Sequence, residues 1–231
     1  MISSVTDEKT LELKISRKYN TDFNLRTKTK FLLKPGITNL IGCNGYGKST
    51  LLKQIRAACK QKGIPVFYYD DRTDGGSRLI EKHMLCDNIS AMAGMLMSSE
   101  GERVRAGVGS SAGPIRNFVH EARQRKDKRC VLLFDSVDSG ASVDSIMDIK
   151  NAFNIVIEDT KDLELYLIVA SNSYEMTLGL ENFDPIKLSY RKKFSSYNAF
   201  SKFIMRTRTV VEERYRRAER AARLKHKEDR Y

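Results

Sequence analysis

The chain has 231 residues, of which 41% are hydrophobic and 30% charged; that is enough apolar surface for one large α/β domain with an appended arm, and it excludes a disordered chain and two full-sized domains. No stretch nears about 18 consecutive apolar residues and Met1–Thr10 has neither a basic start nor an apolar run, so no membrane contact is expected and the reading is cytoplasmic. The net charge of +12 is uneven: residues 187–231 hold fifteen Lys and Arg against five Asp and Glu, a net of +10, which suggests a polyanionic partner, DNA or RNA before a membrane.

Alternating Leu11, Leu13 and Ile15 predict a strand, Phe23–Leu33 an extended segment, and Ile37–Ile41 a short buried strand after Pro35-Gly36. A helix is expected from about Lys48 to Lys62, ended by Gly63-Ile64-Pro65, then a strand at Val66–Tyr69 and a polar loop beginning at Asp70. Residues 78–97 have helical spacing, the Gly- and Ser-rich Ser98–Pro114 breaks the pattern, and Ile115, Phe118, Val119 and Ala122 restore it. Cys130–Phe134 reads as a strand, Val143–Val156 as a helix and Leu163–Ala170 as another strand; strands alternating with helices imply a parallel sheet. A long helix is expected from Ser196, docked by Tyr197, Phe200, Phe203 and Ile204, with only a thin stripe of Val211, Tyr215, Ala218 and Ala222 beyond Arg206. Residues 1–195 thus form the expected domain and 196–231 a basic helical extension. Cys43, Cys59, Cys86 and Cys130 show no CxxC spacing and read as buried thiols rather than a metal or disulfide framework.

Gly42-Cys43-Asn44-Gly45-Tyr46-Gly47-Lys48-Ser49 fits G-x-x-x-x-G-K-[ST], after a predicted strand and opening a predicted helix. In that setting backbone N–H groups turn inward around phosphate, the helix start adds partial positive charge, Lys48 reaches the terminal phosphates and Ser49 can ligate magnesium. Val131-Leu132-Leu133-Phe134-Asp135 ends a buried strand in the acid that completes a metal site with Ser49, so ATP and magnesium are the expected cofactors. Tyr19 or Phe23 could stack on the base, although core positions suit both better.

The run Gly42–Leu52 resembles the G-x-N-G-x-G-K-S-T-L-L form of ABC-type P-loop ATPases, particularly the SMC-like and RecF-like branch. Asp135-Ser136-Val137-Asp138-Ser139-Gly140-Ala141-Ser142 is similar to that family's Walker B and D-loop, and Ser99-Glu100-Gly101-Glu102-Arg103 to its signature. The resemblance implies an ABC-type head with a mostly parallel central sheet, N-terminal antiparallel strands and the basic C-terminal helix. It also implies that Gly42, Asn44, Gly45, Gly47, Lys48, Ser49 and Thr50 bind nucleotide, with Ser99 and Gly101 reaching the γ-phosphate held by another subunit in an ATP-dependent homodimer. Spacing offers a rival: Ser99 lies 36 residues before Asp135 and Ser111 lies 24 before it, nearer the family's usual interval. Content favours Ser99, because Glu102-Arg103 match and Pro114 does not, with Gly107–Gly113 as an insertion.

Three departures bear on chemistry. Ser136 stands where the family has a glutamate base, and a hydroxyl cannot take a proton from water as a carboxylate does; Asp138 is the candidate surrogate. Asn172 stands at the switch histidine's position and can hydrogen-bond phosphate but not titrate. The usual glutamine is missing after Val66–Tyr69, leaving Asp70 or Asp71 to take its place on the metal. With about 50 residues between the phosphate loop and Ser99 there is no room for a coiled coil. The leading expectation is an ATPase with Lys48, Asp135, Asp138 and Asn172 in catalytic positions, slow or absent hydrolysis and a nucleic-acid link. A nucleotide switch binding a protein effector is the alternative, and a transporter motor is least favoured.

Overall fold

The opening alternation of apolar and polar residues folds as a hairpin-like pair. In the computed structural model, which describes residues 10–15, 30–70, 102, 108–188 and 191–228, β1 (Leu11–Lys14) and β2 (Lys30–Leu33) pair antiparallel, Leu11 opposite Leu33 and Leu13 opposite Phe31. The period of two buries those four side chains on one face and leaves Glu12 and Lys30 in a 3.1 Å ion pair on the other.

β3 (Gly36–Ile41), β4 (Val66–Asp70), β5 (Arg129–Asp135), β6 (Glu164–Ser171) and β7 (Glu181–Phe183) form a parallel sheet in the order β4-β5-β6-β3-β7, with β8 (Arg191–Lys192) antiparallel on the β7 edge. The inner strands are apolar on both faces, as a sheet covered on two sides requires. Val131, Leu133, Tyr166 and Ile168 face α1 (Lys48–Gln61) and the β1–β2 pair. Cys130, Leu132, Phe134, Leu165, Leu167 and Val169 face α2 (Ala112–Arg123) and α3 (Val143–Asp159). A buried polar chain ties three strands near the loop: Ser171 Oγ donates to Asn39 Oδ1 at 2.7 Å, and Asn39 Nδ2 donates to Asn182 Oδ1 at 2.9 Å.

Over its described residues 108–114, the Ser98–Pro114 segment does not break the helix pattern as expected. A helical turn at 108–110 leads into α2, with Ser111 N–H donating to Val108 O and Ile115 N–H to Ser111 O. Pro114 is tolerated because it sits in the first turn of α2, where a backbone N–H has no intrahelical partner to lose. The helix expected over 78–97 lies outside the described residues.

After the short α4 (Tyr174–Thr177), the long helix appears as α5 (Tyr197–Glu228). Phe200 and Phe203 are buried against Phe194, at ring separations of 5.3 and 5.6 Å, whereas Tyr197 leans on Tyr174 and stays 64% exposed. Cys59 and Cys130 are buried, and burial pushes both thiols up to about 12. Cys43 departs from that expectation, being half-buried in the phosphate loop, and Cys86 lies outside the described residues. Among the described residues no helix is long and apolar enough to cross a membrane.

Candidate nucleotide site

Parallel strands bring their carboxyl ends to one edge of a sheet, the usual place for a ligand in an open α/β fold. β3 runs into the loop 42–47, β5 ends in Asp135, and β6, lying between them, runs into Asn172. The interposed strand sets Asn172 beside the loop lysine. Lys48 Nζ donates to Gly42 O at 2.7 Å, Cys43 O at 3.1 Å and Asn172 Oδ1 at 2.7 Å. Burial is the main cause that pushes the Lys48 ammonium below its usual range, opposed by the charges of Asp138 and Asp135.

The loop's shape depends on one close approach. Gly42 has φ +147°, and a Cβ there would lie 2.3 Å from Cδ1 of Tyr46. Tyr46 is buried, and its hydroxyl donates to Asp184 Oδ2 at 3.2 Å beyond β7, so the ring clamps the loop to the sheet edge. Burial, with the nearby Asp184 carboxylate, raises the Tyr46 phenol and keeps it a donor. We expect Gly42→Ala to destabilise the fold by about 1–3 kcal/mol, as overpacking does, and to weaken nucleotide binding; a denaturant midpoint equal to that of the unmodified chain would rule out the clamp.

Gly47 caps α1 with no side-chain hydrogen bond and no acidic residue in the first turn, so the helix start presents backbone amides and positive partial charge around Lys48, Ser49 and Thr50. Ser49 Oγ donates to Asp135 Oδ1 at 3.0 Å, and Tyr68 OH donates to Asp135 Oδ2 at 3.3 Å. Burial raises the Asp135 carboxyl, countered by the bonds from Ser49 and Tyr68 and by Lys48, while Asp70 adds to the rise. A hydroxyl and a buried carboxylate in contact at the end of a helix make an oxygen donor set suited to magnesium. Asp70 faces Asp135 across the β4–β5 register, and Asp71 lies outside the described residues.

Asp138 is buried, and its Oδ2 accepts the backbone N–H groups of Asn172 at 2.6 Å and Ser173 at 2.7 Å. Its Oδ1 is buried with no hydrogen-bond partner. The carboxylate therefore fixes the turn that carries Asn172. Ser136 sits at φ +60°, a left-handed conformation held by Ser136 N–H to Ala170 O at 3.3 Å, with its hydroxyl 3.4 Å from Asp135 Oδ1. Sparsely populated backbone of this kind clusters at functional sites.

Lys48, Ser49, Asp135, Asp138 and Asn172 thus meet at one sheet edge in two hydrogen-bonded sets, Lys48–Asn172–Asp138 and Ser49–Asp135, with Gly42, Gly45 and Gly47 shaping the loop and Asn44 and Thr50 exposed at its mouth. Ser99 and Gly101 lie outside the described residues, as do Tyr19 and Phe23. Ser111 is buried, and its hydroxyl donates to Val108 O at 2.6 Å. Sequence reasoning missed a set of contacts from α5: Thr207 Oγ1 accepts the Cys43 N–H at 3.0 Å, Val211 packs where a Gly45 Cβ would sit, 3.4 Å away, and Arg214 lies 5.8 Å over the Tyr46 ring. The signal was present as the spacing 200, 203, 207, 211, 214, which follows one helix face once Thr207 is counted with the apolar positions.

A family profile described as the ATPase family associated with various cellular activities (AAA) matches residues 38–179, more than half of the chain. The chain belongs to the AAA family. The match runs from β3 through α4 and so encloses the phosphate loop, Asp135 and Asn172. This AAA chain is a nucleotide-binding ATPase domain of the P-loop type. A search of curated proteins returns no match. Among solved structures, it is 14% identical to a nucleotide-free ATP-binding cassette of an ABC transporter, covering 85% of this chain and 94% of that one at a TM-score of 0.40. It is also 14% identical to cbiO1 of an ABC transporter complex from Clostridium perfringens, covering 94% and 98% at 0.39. A DNA replication initiation factor is 18% identical at a TM-score of 0.32, and the match spans 73% of this chain and 37% of that one. At these TM-scores the likenesses carry no argument about activity.

Proposed function

We propose that the chain binds ATP with magnesium, closes into a homodimer around the nucleotide, hydrolyses it slowly and acts with nucleic acid, as an ABC-type head of the SMC-like and RecF-like branch. The observation that carries the nucleotide reading is the contact of Lys48 with the loop and Asn172 beside the Ser49–Asp135 pair. Lys48, the loop amides and the start of α1 would hold the phosphates; Ser49 and Asp135 would hold magnesium, which supplies charge neutralisation on the phosphate oxygens. Asn172, held by Asp138, is in place to donate to a phosphate oxygen by its side-chain amide.

Slow turnover follows from Ser136, which supplies no carboxylate at the base position. The unpartnered Oδ1 of Asp138 is the candidate proton acceptor. Ser99, with Gly101, is the proposed serine donated by the second subunit; the burial of Ser111 and the bond its hydroxyl makes within the turn support that choice over Ser111. Residues 1–195 serve as the ATPase domain and 196–231 as the basic extension, in a cytoplasmic protein. If a protein effector replaces nucleic acid, the same dimer would act as a nucleotide switch.

The nucleic-acid reading rests on the outward arginines of α5. Arg206, Arg208, Arg216, Arg217, Arg220 and Arg223 are all exposed, on a helix about 48 Å long at about 1.5 Å per residue. Counterion release makes such binding steeply salt-dependent. Ending the chain at Met205 would remove Thr207 and Val211 from the loop together with the charge, so substitution is the cleaner test. We expect Arg216→Gln, Arg217→Gln and Arg220→Gln combined to reduce duplex affinity at least tenfold at low salt and to lower the slope of log affinity against log salt by about 2–3, since each lost phosphate contact takes away about 0.9. Fluorescence anisotropy measures both. Equal slopes would remove α5 from the interface, and no binding with ATP present would favour the protein effector.

A further inference from the structure

Helix α5 carries two different surfaces over the same turns. Its inner face is seated on the phosphate loop. Thr207, only 2% exposed, donates its hydroxyl proton to Ile204 O at 2.7 Å and so turns a lone pair to the Cys43 N–H at 3.0 Å. Val211 fills the space above Gly45, and Arg214 lies over the Tyr46 ring with its Nε and Nη2 atoms buried and without a hydrogen-bond partner. The loop that receives these contacts is the one whose carbonyls at Gly42 and Cys43 hold Lys48.

The outer face is crowded with like charge. Arg216 and Arg220 stand four residues apart, and Arg217 and Arg220, like Arg220 and Arg223, three apart, spacings that place them side by side and disfavour the helix. Two ion pairs on this face, Arg208 with Glu212 at 3.1 Å and Arg217 with Glu213 at 4.0 Å, lie in solvent and offset little of it. Beyond Tyr215, whose hydroxyl oxygen lies 3.8 Å from where a Gly45 Cβ would sit, residues 216–223 are all exposed. The part of α5 that seats the loop is thus continuous with a part whose stability depends on counter-charge.

We propose that α5 couples the two ligands of the molecule. Phosphates of a duplex laid on the outward arginines relieve their repulsion and stabilise the helix. That holds Thr207 and Val211 against the loop and raises nucleotide affinity. By linkage ATP raises duplex affinity by the same factor. The inference rests on the nucleic-acid reading of α5 given above.

The test titrates the full chain with ATP and magnesium by calorimetry, with and without a saturating duplex of about 20 base pairs at low salt, long enough to cover the helix. Duplex occupancy is followed in parallel by anisotropy. The expected result is an ATP Kd lowered about fivefold or more by duplex. Thr207→Val keeps the shape but removes the acceptor, and should bring the factor below about twofold, while Thr207→Ser should retain it. Hydrogen exchange of the peptide containing Cys43 should slow when duplex binds, and this measurement on the unmodified chain decides the matter if Thr207→Val does not fold. Bound duplex with an unchanged or raised ATP Kd overturns the coupling alone, as does a factor that survives Thr207→Val. Failure of duplex to bind overturns the nucleic-acid reading, and the coupling with it.

Discussion

Lys48→Met is expected to weaken ATP binding more than tenfold, a loss of about 1.4 kcal/mol or more, while leaving thermal stability equal or higher. The two effects part because Lys48 is a buried cation. Burial is the largest influence on its ammonium and disfavours the charged form, so the fold bears a desolvation cost that the bonds to Gly42 O, Cys43 O and Asn172 Oδ1 only offset. A methionine of similar length fills the same space without that cost, though it leaves three acceptors short of a donor. Phosphate oxygens, in contrast, lose a charge-assisted contact, roughly twice as strong as a neutral one. Calorimetry with magnesium and a thermal melt on the same samples separate the outcomes. Unchanged affinity would remove the nucleotide reading, and a large fall in melting temperature would show Lys48 to be chiefly structural.

The elements that were legible in the sequence are those with strong local signals. The apolar runs Cys130–Phe134 and Leu163–Ala170 became β5 and β6 within a residue or so, because a strand buried on both faces must be apolar throughout. The phosphate loop was legible because its glycines answer a geometric demand, most plainly at Gly42 against Tyr46. What stayed hidden was contact between segments far apart in the chain. Nothing near Cys43 reveals that its N–H bonds to Thr207, 164 residues away, and Thr207 and Arg214 are polar residues on a helix whose composition suggests solvent. The strand order was equally silent, and it alone sets β6 between β3 and β5 and brings Asn172 to Lys48. The misread start of α2 has a local cause: glycine and proline weigh against helix in its interior but not in its first turn.

Ser136→Glu should raise the rate of ATP turnover at least tenfold, within the range of about 10²–10⁴-fold that a positioned general base contributes. The backbone at Ser136 is already left-handed at φ +60°, and the steric penalty of a Cβ there is common to serine and glutamate. The substitution therefore adds little strain. It gives up only the long 3.4 Å contact of the serine hydroxyl with Asp135 Oδ1, while the Ser136 N–H bond to Ala170 O belongs to the backbone and remains. The new carboxylate lies next to Asp135, whose own carboxyl is held high by burial. Magnesium held by Ser49 and Asp135 would offset that neighbouring charge, so the introduced glutamate would be ionised and able to act as a base near neutral pH. Rate should then rise with pH through the glutamate's pKa, as the carboxylate ionises, giving the variant an acid limb of its own. Ser136→Gln has the same length and no basic oxygen, and should show neither the gain nor the limb. Steady-state turnover across pH distinguishes these outcomes. An equal gain in the glutamine variant would attribute the effect to packing, and an unmodified chain already as fast as Ser136→Glu would shift the base to the free oxygen of Asp138.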